Sequence, residues 1–135
     1  MQVNIQQLEG FRFNIRSRSH EIIADQPEEG GGSDRGMTPS ELLLASLGSC
    51  AAYYAAAYLH ARKLANTGVS VSVTAEKLKE PARLGNFIVK VVCPVPLDAA
   101  HESALLRAVH QCLVHNTLLS SPQIDIRLEA TPEIS

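Results

Sequence analysis

Apolar and polar positions along this chain switch between two periods, an alternation of two residues near both ends and a helical period in between. Residues 3 to 25 read as two strands, VNIQQL and, after Glu9-Gly10, RFNIRSRSHEIIA with apolar Phe11, Phe13 and Ile15 alternating, joined most simply as a hairpin. From Pro27 to Gly36 the segment PEEGGGSDRG has no period and three successive glycines, which predicts a mobile loop. That loop is either a plain connector or a flap carrying Arg35 over a site. Thr38-Pro39-Ser40-Glu41 then supplies a hydroxyl at the N-cap, proline at the first helical position and glutamate at the third, a capping box. The helix it opens runs to about Ala65, with Lys63 near its end and Gly68 placed as a left-handed cap. Its many Ala, Ser and Gly residues predict a central, buried helix approached closely on more than one side.

Two further alternating runs, VSVSVTAEKL and NFIVKVVCPV, flank Lys79-Glu80-Pro81 and predict an antiparallel pair. Asp98 is a good N-cap for a helix from about Ala99 to Leu119, which Ser120-Ser121-Pro122 ends. IDIRLE, with Ile124, Ile126 and Leu128 on one face, predicts a closing strand. The order ββ, helix, ββ, helix, β without internal repeats indicates an α+β fold.

Composition narrows the functions such a fold could serve. A length of 135 residues fits a single domain, 1–135. Net charge of −2, with 19% charged residues, offers no basic face for nucleic acid and no polybasic patch for anionic lipid. The N-terminal MQVNIQQLEG has neither the basic nor the apolar part of a secretion signal, and Ser, Gly, Tyr and His interrupt the longest apolar stretch. The expectation is a soluble, cytoplasmic protein with no membrane partner. Three cysteines in such a chain fit a reducing compartment, where a disulfide is more often transient than structural.

Cys50 and Cys112 lie inside the two helical patterns, Cys50 on the face of Leu43, Leu47 and Tyr54, Cys112 on the stripe of Leu105 and Val109. Packing alone accounts for such cysteines, because a free thiol behaves as a small hydrophobe. Cys93, alternating with Phe87, Val89 and Val91, reads as core. A chemical role needs a thiolate, which burial disfavours, so a cation must approach. The dipole of the first helix cannot serve, since Cys50 lies roughly 14 Å from its N-terminal turn at 1.5 Å per residue. Arg35 is the first candidate, with Arg16 and Arg18 behind it; a guanidinium would also orient a peroxide oxygen. Metal is not expected: no CxxC occurs, and His110 and His115 lack the spacing of a ligand pair on one helix face.

GMTPSELLLASLGSC and the alanine-rich helix after it resemble the first-cysteine region of the OsmC/Ohr family, the osmotically inducible and organic hydroperoxide resistance proteins. QCLVHNTL followed by SSPQIDIRLE is similar to the family's second-cysteine helix and closing strand. The resemblance implies an intertwined homodimer in which antiparallel sheets enclose long central helices. It also implies a stress-response thiol peroxidase without cofactor, in which Cys50 reduces a hydroperoxide and its sulfenic acid is resolved by Cys112 as a disulfide. An external thiol, a dihydrolipoyl protein or a small thiol, would recycle it. The chain departs from the family pattern at Ser40, where glutamate is usual, and at Leu113 and His115, where proline and serine are usual, so it resembles a divergent branch. Glu41, one residue later, is the available acidic candidate, although its spacing equally suits the capping box. A non-catalytic protein holding a lipid-like ligand near Tyr53, Tyr54 and Tyr58, or a redox sensor, is the alternative.

Overall fold

A computed structural model describes residues 1–132. Three antiparallel strands, β1 (Asn4–Gln7), β2 (Phe13–Ser17) and β3 (His20–Ala24), form the first sheet in the order β1-β2-β3. The second run is therefore two strands and not one: Arg18 takes a left-handed φ of 54° and turns the chain, so that Arg16 faces Glu21 across the pair at 2.6 Å. β4 (Ser70–Leu78) and β5 (Arg83–Val92) form a separate antiparallel pair, with a register shift between Thr74 and Glu76.

The loop between β3 and the first helix is fastened rather than loose. Asp25 is 1% exposed, and its carboxylate accepts the backbone N–H groups of Gln26 (2.7 Å), Ser33 (3.3 Å) and Arg35 (3.0 Å). The Asp25 N–H donates to the Met37 carbonyl at 3.2 Å, closing the base of the loop. Gly36 passes so near the Ile23 carbonyl that a Cβ would strike it, which explains glycine there.

Helix α1 (Pro39–Ala61) starts as the sequence predicts, with reciprocal Thr38 and Glu41 hydrogen bonds of 2.9 and 3.2 Å. It ends earlier than expected. Lys63, at φ 57°, takes the left-handed position, and the Lys63 and Leu64 N–H groups donate to His60 and Leu59 carbonyls at 3.0 and 2.9 Å, a Schellman closure. Gly68 packs instead against Pro94. Gly48 brings α1 onto β4, where a Cβ would lie 2.8 Å from Val73.

The second helical stretch breaks in two. α2 (Ala99–Val109), capped by the Asp98 carboxylate on the His101 N–H at 2.8 Å, is followed by a turn and by α3 (Leu113–Leu119). The core sits where α1 meets α2 and the inner face of β5: Ala55, Tyr58, Leu59 and Leu105 are buried, with Val91 and Cys93 packed against them. The Tyr58 hydroxyl hydrogen-bonds His101 Nδ1 at 2.7 Å, tying α1 to α2.

Two expectations fail on burial. α1 is covered on one face only, by Leu47, Gly48, Ala51, Ala55, Tyr58 and Leu59, and Tyr53 stays 65% exposed. Ile124, Ile126 and Leu128 do not pair as a strand within the chain, and their side chains are exposed. The first sheet also makes no more than slight contact with the helices or with β4 and β5. α1 has the length and hydropathy of a membrane span, but it packs on β4, β5, α2 and α3.

Candidate active site

Two helices meet end to side at the cysteines. α1 carries Cys50 half-buried in its middle, and the break after α2 makes Cys112, 1% exposed, the N-cap of α3. Its sulfur does what a serine or aspartate oxygen does at this position: it accepts the His115 N–H, at 3.4 Å. The same turn leaves the N–H groups of Leu113 and Val114 without helical acceptors. Both lower the pKa of Cys50.

The electrostatics of the pair follow from that meeting. Burial raises the pKa of Cys50, but hydrogen bonds from the Cys112 thiol and from the Val114 and Leu113 N–H groups more than offset it, leaving Cys50 below the ordinary thiol value. Cys112 moves the other way, raised by burial, by the proton it gives Cys50 and by the neighbouring charge. Of the two, Cys50 gives up its proton more readily and Cys112 holds its own. Burial likewise raises Cys93, which stays a neutral core residue.

The residues singled out in the sequence are brought together unevenly. Cys50 and Cys112 are near enough that each shifts the other's pKa. No arginine is among the groups that shift Cys50. Arg35 joins the structure through its backbone N–H on Asp25, Arg16 is paired with Glu21, and Arg18 occupies the β2–β3 turn. Glu41 binds the Thr38 N–H, which holds its carboxyl below the usual range, and lies about 14 Å from Cys50 along α1 at 1.5 Å per residue. Among the described residues no cluster of three or more His, Cys, Asp or Glu side chains could hold a metal ion.

Two contributors escaped sequence reasoning. The backbone N–H groups of α3 carry no side-chain signature, and the helix start that aims them lacks the usual Ser, Thr, Asp or Asn cap. Asp25 offered no signal beyond its place at the end of a strand, yet three backbone N–H groups, that of Arg35 foremost, hold its carboxyl below the ordinary value.

Beside the thiols lies an apolar groove of about 820 Å³, between β5 and the α2–α3 pair. Phe87, Val89 and Val91 line one wall and Leu105, Val109 and Leu118 the other, with Cys112 at its end. No tyrosine lines it: Tyr58 lies in the core beside the groove's Leu105, and Tyr53 stacks edge-on against Tyr54 at 5.2 Å.

The model of the OsmC-like protein family matches residues 30–127. A Psychrobacter arcticus protein, described as an osmotic stress induced and detoxification response protein, superposes with a TM-score of 0.78 at 20% identity over 85% of each chain. An OsmC like protein from Mycoplasma pneumoniae gives 0.70 at 20% identity, over 89% of this chain and 87% of its own. An organic hydroperoxide resistance protein OsmC from Legionella pneumophila gives 0.59 at 16%, over 89% and 90%. At these identities the superpositions show the α+β fold, two antiparallel sheets and three helices. No curated protein matches the chain.

Proposed function

The chain belongs to the OsmC-like family, and on that premise we propose that it is a cysteine-based hydroperoxide reductase. Members named for hydroperoxide resistance include the Legionella protein. What supports the reading is the pairing of two cysteines on packed helices, Cys50 below the ordinary thiol value and the buried Cys112 above it. In the first step the Cys50 sulfur attacks the terminal oxygen of ROOH; the O–O bond breaks, a sulfenic acid forms, and ROH leaves with the proton the thiol gave up. Cys112 then attacks the Cys50 sulfur, the S–O bond breaks, and water leaves as the disulfide forms. An external dithiol returns the two electrons. Arg35 or another cation could join from the partner subunit, and Glu41 serves the start of α1.

A homodimer in the cytoplasm is part of this reading. The accessible surface of 10848 Å² compares with about 6,900 Å² for a folded monomer of 14.6 kDa. The excess is what an obligate dimer buries. It falls on features that lack partners within the chain: the outer face of α1, the apolar face of the first sheet, and Ile124, Ile126 and Leu128.

The test is a free-thiol count on reduced protein before and after one equivalent of cumene hydroperoxide. Rapid loss of two thiols, absent in Cys50→Ser, is expected; loss indifferent to Cys50 would reject the peroxidase. The apolar groove favours a second reading, a carrier of a lipid-like molecule, which would instead show a rise in melting temperature with a medium-chain fatty acid and no thiol loss.

A further inference from the structure

The apolar groove between β5 and the α2–α3 pair is marked chemically by its few polar members. Its volume of about 820 Å³ falls within the roughly 300–1,000 Å³ of small-molecule sites. Among the described residues only Glu102, His110, His115, Cys93 and Cys112 interrupt its aliphatic and aromatic lining, and no lysine or arginine takes part. The features whose exposure suggests a second copy, namely the outer face of α1, the first sheet and Ile124, Ile126 and Leu128, do not line it.

Hydrogen bonds fix what the two imidazoles offer. His110 Nδ1 lies 2.7 Å from the Leu106 carbonyl oxygen, which can only accept, so Nδ1 carries the hydrogen. His115 Nδ1 lies 3.2 Å from Asn116 Oδ1, again an acceptor. In each neutral ring Nε2 therefore keeps a free lone pair. The rings meet edge to face with centroids 5.5 Å apart, which places both lone-pair donors at one end of the groove. Glu102 sits in the first turn of α2, about 12 Å from His110 at 1.5 Å per residue, and its carboxylate also only accepts. Burial raises the Cys93 and Cys112 thiols, which stay uncharged. The lining thus presents lone pairs and one negative charge, with no cation to balance them.

We propose that the groove selects an uncharged long-chain molecule over an anionic one of equal length, its hydroxyl-type head donating to Nε2 of the His110–His115 pair and its tail lying along Phe87, Val89, Val91 and Leu105. The proposal rests on the reading of this groove as a site for a lipid-like molecule. An O–H head gives the lone pair the hydrogen it lacks. A carboxylate brings only more lone pairs and a charge that finds no partner in the lining, which is costly away from water. A fatty acid anion therefore enters between the same walls more weakly. An alkyl hydroperoxide and the alcohol it becomes on reduction both carry an O–H head, so both belong to the favoured class.

Isothermal calorimetry of 1-decanol and of decanoate with the reduced full chain tests this, at about pH 8, above the usual range of imidazole protonation. Wild type is compared with His110→Lys. His110 is exposed, so the exchange places a cation at the head position without touching the core, and far-UV circular dichroism checks the fold. Wild type should bind 1-decanol about 10-fold or more tightly than decanoate, because the anion is left without a partner. In His110→Lys that ratio should fall by about 10-fold, through a gain in decanoate binding to the new ammonium group. Equal affinities in wild type, or an unchanged ratio in folded His110→Lys, would overturn the head-group selection while leaving the apolar site in place. Binding of neither probe to wild type would overturn the reading of the groove as a lipid-like site, and this proposal with it.

Discussion

Cys112 caps the N-terminus of α3, its sulfur accepting the His115 N–H at 3.4 Å, and its thiol stands above the ordinary pKa while that of Cys50 on α1 stands below it. The polarity of the pair follows. In the proposed reaction Cys50, lowered, attacks, and Cys112, raised, stays a thiol until Cys50 is oxidised. Trapping with dimedone should therefore label Cys112→Ser after peroxide treatment, at Cys50, while wild type gives the disulfide and little adduct. A sulfenic acid found mainly at Cys112 in wild type would reverse the assignment.

The Leu113 N–H is among the groups that lower the pKa of Cys50, and Leu113 is the first helical position of α3. Proline is tolerated there because its φ suits the helix and its missing N–H has no helical partner. Leu113→Pro should thus fold normally while removing one donor from the thiolate. Because the wild-type Cys50 pKa is lowered, its alkylation rate should level off at a lower pH than that of free cysteine. In Leu113→Pro the profile should move to higher pH, with rates at neutral pH reduced by about 10-fold, matching a loss of roughly 1.5 kcal/mol, the lower end for one hydrogen bond to a charged group. Iodoacetamide kinetics against pH check this.

Asp25 binds three backbone N–H groups of the loop that leads to α1. Its carboxyl lies below the ordinary value, so its contribution to stability is fully present above the unfolded-state pKa and is lost as pH falls through the folded one. Asp25→Asn should lower the melting temperature at pH 7 by about 4 °C or more. The difference from wild type should shrink near pH 3. Calorimetry at the two pH values decides it; equal melting temperatures at pH 7 would mean that the loop does not depend on the carboxylate.

Leu59 is fully buried at the meeting of α1, α2 and β5. Leu59→Ala should cost about 2 to 5 kcal/mol, the range for a large aliphatic side chain removed from a packed core. Urea denaturation measures it. A cost below about 1 kcal/mol would mean that the core lies elsewhere, between subunits.

Ile126 belongs to an alternating apolar run that finds no strand within its own chain. Ile126→Asp should weaken the proposed dimer so that sedimentation velocity at micromolar concentration shows monomer, whereas wild type sediments at twice the chain mass. Wild-type monomer at that concentration would remove the dimer from the functional reading.

The amino-acid sequence determined what depends on near neighbours. The Thr38–Glu41 capping box, the start of α1, the β4–β5 pair and the Asp98 cap all stand where their patterns put them, because three or four consecutive residues hold the interactions that make them. The placement of Cys50 and Cys112 on packed elements was legible for the same reason. The tertiary structure decided what depends on groups far apart. A continuous helical pattern from Ala99 to Leu119 breaks before Cys112, and the N–H groups that the break sets free lower the pKa of Cys50, 62 positions earlier in the chain. The source of Cys50 activation was hidden because backbone donors have no letter of their own, so a search for side-chain cations led to Arg35. The fate of Ile124, Ile126 and Leu128 was undecided for a related reason: alternation marks a strand's two faces, but a strand exists only where another edge pairs with it, and among the described residues none pairs with this run.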